Sequence, residues 1–83
     1  MNIIILPTAK KDLRKLPEDT AGIILKKLHS IRDKPLSYIE RLKGSHLWKL
    51  RVGDYRVIMM IDTGQSSINI IKIGHRRDIY KRL

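Results

Sequence analysis

The chain has no cysteine and no phenylalanine, and aromatic residues make up only 5% of it. Without thiols, neither disulfides nor thiolate chemistry is open to it. Sparse aromatics and the lack of a recognition motif argue against a plain nucleic-acid-binding module. Acids are scarce as well, with 8 Asp and Glu against 18 Lys and Arg. No two carboxylates are spaced to share a metal, which disfavours a two-metal nuclease. His29, His46 and His75 are scattered without metal-ligand spacing, so neither a metal nor a cofactor is expected. Ser45-His46 is an adjacent pair, but no acidic orienter accompanies it, and a serine-hydrolase reading is poor. There is no glycine-rich phosphate loop and no dinucleotide fingerprint. The longest apolar runs, Ile3 to Leu6 and Val57 to Ile61, are far too short to span a bilayer. The start carries no basic n-region. A cytoplasmic protein without a membrane partner is expected.

What remains is a small, strongly basic domain. At 83 residues the chain is read as one domain, 1–83. Its net charge is +10, and the charge is uneven. Residues 1–40 carry 8 Lys/Arg and 5 Asp/Glu, whereas residues 41–83 carry 10 and 3. The second half is where a polyanion would be drawn.

Hydrophobic patterning predicts the order β-α-α-β-β-β. Ile3 to Leu6 reads as a strand stopped by Pro7. Thr8 can cap a helix whose Ala9, Leu13 and Leu16 share a face. Pro17 stops that helix or opens the next. In the second helix Ala21, Ile24, Leu25, Leu28 and Ile31 follow helical spacing, with Lys26 and Lys27 turned away and Pro35 marking the end. Leu47 to Val52 alternates with period two, Tyr55 to Ile61 is richly apolar and expected at the sheet centre, and Ser67 to Ile73 forms a last strand ended by Gly74. The fold class is therefore α+β: an antiparallel meander with a helical hairpin packed on one face. The basic tail, HRRDIYKRL, offers Ile79 for packing.

A two-residue loop at Gly53-Asp54 sets the register. Val52 then faces Tyr55, Arg51 faces Arg56, Leu50 faces Val57 and Lys49 faces Ile58. Trp48, Leu50, Val52, Tyr55, Val57 and Met59 share the apolar face, so Trp48 is read as core rather than as a stacking platform. Lys49, Arg51 and Arg56 fall together on the opposite face, with only Asp54 near as a counter-charge. Directly opposed arginines repel. An anion between them relieves that, and guanidinium forks match phosphate oxygens. A bulge in the hairpin would change this pairing.

The stretches LKGSHLWKLRVGDYRVIMMI and IKIGHRRDIY resemble the RelE/ParE superfamily of toxin–antitoxin toxins, and specifically its RelE branch. The resemblance spans essentially the whole chain. It implies a RelE-like fold and a ribosome-dependent endoribonuclease that cuts mRNA in the A site by metal-independent 2′-hydroxyl attack, halting translation. It also implies a RelB-like antitoxin partner, acidic and partly disordered, and contact with operator DNA only through the antitoxin complex. The catalytic residues it implies are Lys49, Arg51, Arg56, Arg76 and Tyr80. Arg51 stands where lysine is common, which suits a phosphate contact. Arg56 would stabilise transition-state charge, Arg76 the leaving oxygen, and Tyr80 a base or the 2′-hydroxyl. The segment from Gly74 to Tyr80 is shorter than in the best-known members, so Arg77 competes with Arg76. His75 is an extra candidate acid or base, and Lys43 of the L-K-G motif a candidate substrate contact. With the chain ending at Leu83, a C-terminal helix is expected to be missing or minimal. The alternative within the superfamily is a ParE-like inhibitor of DNA gyrase with no nuclease activity.

Overall fold

A computed structural model describes residues 1–81. Strand β1 (Asn2–Ile5) leads into helices α1 (Pro7–Arg14) and α2 (Glu18–Ile31). A short 3-10 turn at Pro35–Ser37 precedes β2 (Glu40–Arg41), β3 (Trp48–Val52), β4 (Tyr55–Asp62) and β5 (Ser67–His75). The strands form one sheet in the order β1-β5-β4-β3-β2. The expected α+β architecture, the antiparallel β3-β4-β5 meander and the central position of β4 all hold.

Several local expectations are corrected. Strand β2 is an addition. Its two residues pair with Trp48 and Lys49 of β3, and so short a strand is fixed by its neighbour rather than by its own pattern. Helix α1 starts at Pro7, with Leu6 in the cap position and no side-chain cap. Proline's missing N–H costs nothing in a first turn, so Pro7 opens the helix and Thr8 lies within it. Strand β1 accordingly ends at Ile5, and β5 runs past Gly74 to His75. There is a bulge, but it lies between β4 and β5. Ile58 pairs with Lys72 and Met59 with Ile70, which leaves Ile71 without a partner. The β3–β4 hairpin is regular, and Arg51 faces Arg56 as the turn requires. Gly53 takes φ +57° while Asp54 does not have a positive φ. That is the type II′ pattern, in which glycine occupies the first central position.

Both helices pack on one side of the sheet. Ala9 of α1 and Ile24, Leu28 and Ile31 of α2 close over Leu50, Val57, Met59, Ile68, Ile70 and Ile73. Trp48, Val52 and Tyr55 are half-buried against this core. The bulge serves the core directly, because it restores Ile73 to the same face as Ile70. On the opposite face the cover is different. A Cβ on Gly74 would lie 3.2 Å from Ile79 Cδ1, and Gly74 pairs with Arg56, so Ile79 rests on the Arg56 face. Ile58 and Ile79 are both fully buried there. The tail of residues 76–81 is a series of turns; residues 82 and 83, which belong to the predicted tail, lie outside the described residues. No helix of the described residues is long and apolar enough to cross a membrane.

Candidate functional site

The II′ turn brings Arg56 back beside Arg51, but the two arginines end in different settings. Arg51 is exposed. Arg56 is only 8% exposed, although it shares the face of the exposed Arg51. Its Nη1 donates to the carbonyls of Gly53 at 3.0 Å and Tyr55 at 2.8 Å. Two acceptors and the bend of the turn therefore hold the buried charge. The Nε and Nη2 donors make no hydrogen bond among the described residues, leaving one edge of the guanidinium for an anion.

Lys49 lies on the same face and has a counter-charge that sequence reading missed. Its Nζ is 3.8 Å from Glu40 Oε2, because β2 pairs Glu40 directly with Lys49. On its other side the ammonium stands 5.8 Å from the ring centre of Tyr80, a cation–π contact. The tail thus returns Tyr80 to the site, half-exposed and with a face towards Lys49. A lone acid at the start of a two-residue strand carries no sequence signal by itself; only the pairing with Lys49 gives Glu40 a place.

Arg76 is fixed at the mouth of the hairpin. Its backbone N–H donates to the Asp54 carbonyl at 2.8 Å, and its Nε stands 3.9 Å from Asp54 Oδ1. Asp54, expected as the counter-charge of the three strand cations, is instead turned to Arg76. Arg51, Arg56 and Arg76 thus stand near the Gly53-Asp54 turn, and Lys49 and Tyr80 meet further along β3 on the same sheet face, with Ile79, between Arg76 and Tyr80 in sequence, as an apolar pin on that face.

The remaining candidates lie elsewhere. His75 pairs with Tyr55 on the helix side of the sheet, and their rings meet edge to face at 5.7 Å. Its Nδ1 accepts the Arg77 backbone N–H at 3.2 Å, which places the ring proton of the neutral form on Nε2. Arg77 is exposed on the turn after β5. Lys43 sits in the β2–β3 loop, at the opposite end of β3 from Gly53-Asp54. Trp48 packs against the core, with the Arg41 guanidinium 5.7 Å from its ring centre. Among the described residues no three His, Asp or Glu side chains come together as metal ligands.

A sheet meander under a helical hairpin is the fold of a known toxin family. The family "ParE toxin of type II toxin-antitoxin system, parDE" matches residues 3–80. The chain is 36% identical to Toxin RelE of Mycobacterium tuberculosis, covering 96% of this chain and 86% of that protein. It is 31% identical to Toxin RelG of the same organism, covering 90% of each. In three dimensions it resembles the toxin–antitoxin complex RelBE2 of Mycobacterium tuberculosis, with TM-score 0.82, 24% identity and coverage of 90% and 96%. It also resembles the archaeal RelE–RelB complex of Pyrococcus horikoshii, with TM-score 0.76, 25% identity and coverage of 99% and 97%. The chain belongs to the RelE/ParE family of toxins. It is a type II toxin–antitoxin toxin of RelE type.

Proposed function

We propose that this toxin is an endoribonuclease that cuts mRNA on the ribosome, and that its site is the cationic hairpin end closed by the tail. The observation that carries this reading is the placement of Tyr80 against Lys49, on the face that also holds the Arg51–Arg56 pair. A gyrase-binding surface needs no such assembly.

The reaction that suits these side chains is attack of an RNA 2′-hydroxyl on its own adjacent phosphate. A bond forms between O2′ and phosphorus while the bond from phosphorus to O5′ breaks. The products are a 2′,3′-cyclic phosphate and a 5′-hydroxyl; the proton lost by O2′ is balanced by one gained at O5′. The free edge of Arg56 and the exposed Arg51 hold the non-bridging oxygens as their charge grows. Lys49 lies between Glu40 and Tyr80, which keeps its ammonium aimed across the face. When a phosphate enters, it takes the place of Glu40 as the partner of Lys49. Tyr80 orients the 2′-hydroxyl or stacks on the adjoining base, and Arg76 stands at the turn to meet the leaving oxygen.

A RelB-like antitoxin is the partner this reading requires, since the structural relatives are RelE–RelB complexes. An acidic, partly disordered segment suits the +10 charge. It would cover the cationic face or displace the tail from Ile79 onward, and operator DNA would be met only through the complex. Such a pair would act in the cytoplasm. The gyrase reading draws on the ParE description of the matching family. Primer extension on mRNA from translating extracts, run beside a gyrase supercoiling assay, separates the two. Cuts located in ribosome-bound mRNA with supercoiling unaffected are expected. Arrested translation on intact mRNA, or blocked supercoiling, would overturn the proposal.

A further inference from the structure

Gly74 is a strand residue, paired with Arg56 across β4 and β5. Glycine weakens a strand, because it has no side chain to pack and loses the most freedom on folding. Its φ is not positive, so the backbone at this point does not call for glycine. The reason for it lies on the open face of the sheet. A Cβ at this position would stand 3.2 Å from Ile79 Cδ1, and 3.9 Å from Ile79 Cα and Cβ. The first distance is a tight contact and the other two are ordinary ones. The space that a side chain of residue 74 would fill is thus taken by Ile79, which is 1% exposed.

This seat cannot give way from below. Gly74 pairs with Arg56 and Ile73 with Val57. Strand β1 covers β5 only as far as Ile70, but the edge beyond is held from α1, where Asp12 Oδ2 accepts the Ile73 N–H at 2.9 Å. The tail above has little slack either. The His75 carbonyl accepts the N–H of Asp78 at 2.9 Å and of Ile79 at 3.0 Å, and the Arg76 N–H donates to the Asp54 carbonyl at 2.8 Å. One residue past Ile79, the ring centre of Tyr80 lies 5.8 Å from Lys49 Nζ. Lys49 belongs to β3 and Gly74 to β5, with β4 between them, a separation of about 10 Å. One residue advances the chain by only about 3.8 Å. The Tyr80 ring and the Lys49 side chain therefore meet only while Ile79 lies flat on the sheet.

We infer that Gly74 is a positioning residue of the candidate site: its lack of a side chain seats Ile79 and so brings Tyr80 against Lys49. A methyl group at residue 74 pushes Ile79 Cδ1 off the sheet, and Tyr80 leaves with it. The strand stays as it is, because alanine adopts this φ without strain. The consequence for cleavage rests on the endoribonuclease reading. The Lys49–Tyr80 contact does not, and it is measured without RNA, so the two can fail separately.

The test compares the full chain with Gly74→Ala and with Gly74→Ala combined with Ile79→Val, which removes Cδ1, the one atom in tight contact. Gly22→Ala is the control, since a Cβ on Gly22 meets nothing within 4 Å. In the RNA-free protein, NMR cross-relaxation between the Tyr80 ring and the Lys49 methylenes reads the contact. The signal should be present in wild type and in Gly22→Ala, lost in Gly74→Ala and regained in the double variant. Cutting of mRNA in translating extracts should follow the same order, with Gly74→Ala down about 100-fold, the scale of misplaced catalytic groups. The melting temperature of Gly74→Ala should stay close to that of wild type. Rescue by a second truncation separates positioning from plain destabilisation, because loss of another buried methyl would otherwise only deepen the damage. If Gly74→Ala alone does not fold, a double variant that folds and shows the contact demonstrates the same conflict. An unchanged signal in a folded Gly74→Ala overturns the proposal, and so does a double variant no better than the single one. A wild type that shows the contact but makes no cuts would end the endoribonuclease reading and leave the seat standing.

Discussion

The two faces of the sheet are closed in opposite ways. On the helix side, four fully buried residues of α1 and α2 meet six from β3, β4 and β5. On the other side, cover comes from the tail, with Ile79 seated over Gly74 and in the same buried layer as Ile58. The first face is a core in the ordinary sense, where close packing supplies most of the stability of a small domain. The second has one apolar pin, and around it stand the charged groups. Stability and site assembly are therefore carried by different residues, and substitutions should separate them.

The largest effect is expected on the helix side. Leu28→Ala should cost about 2–5 kcal/mol, enough to unfold much of so small a domain. Thermal melting by circular dichroism would show it, and a shift of only a few degrees would mean that the helix-side core is not what holds the fold. Next comes Arg56. Arg56→Ala removes a buried side chain and its hydrogen bonds to the Gly53 and Tyr55 carbonyls, so about 1–3 kcal/mol of stability should go together with activity. Arg56→Lys keeps the charge but not the fork. It should melt closer to wild type while remaining inactive, and a fully active Arg56→Lys would show that no bidentate contact is needed.

The tail should behave differently from both. Ile79→Ala removes the pin between Arg76 and Tyr80, and cleavage should fall by about 100-fold, the scale expected when catalytic groups lose their position. Its melting temperature should fall less than that of Leu28→Ala. In that background a further Tyr80→Phe should change activity little, since Tyr80 is already displaced; fully additive losses would mean that Ile79 does not position it. The smallest effect is expected at Glu40. Glu40→Gln breaks an exposed ion pair with Lys49, worth under about 1 kcal/mol. The fold should be unchanged and RNA affinity modestly higher, because a competing carboxylate is gone. Filter binding would show a fall instead if Glu40 itself contacts the substrate.

The same division explains what could be read before the structure. The hairpin was legible because its determinants are local. Gly53-Asp54 selects a two-residue turn, the turn selects the register, and alternation then sorts Trp48, Leu50 and Val52 from Lys49 and Arg51. The helical spacing of α2 was legible for the same reason. The parts that escaped depend on contacts distant in the chain. Strand β2 has two residues and no pattern, so Glu40 could not be placed beside Lys49. The bulge at Ile71 follows from how β5 serves the core, and with it went the position of Lys72. Burial of Arg56 needed the tail to lie over Gly74, and no periodicity in HRRDIYKRL encodes that. Of the nominated residues, Arg51, Arg56 and Arg76 stand near the hairpin turn and Lys49 and Tyr80 meet further along β3, while His75 lies on the helix side and Lys43 in the β2–β3 loop. His75 follows the strand parity of Tyr55, which was within reach once β5 was known to continue through Gly74.

The central claim is that the tail completes an RNA-cleaving site on the cationic face. Primer extension on mRNA from translating extracts tests it most directly, with wild type, Arg56→Lys and Ile79→Ala compared at equal folded concentration. Wild type should produce discrete cuts within ribosome-covered message, and both folded variants should lose them. Undiminished cutting by a folded Ile79→Ala would contradict the account.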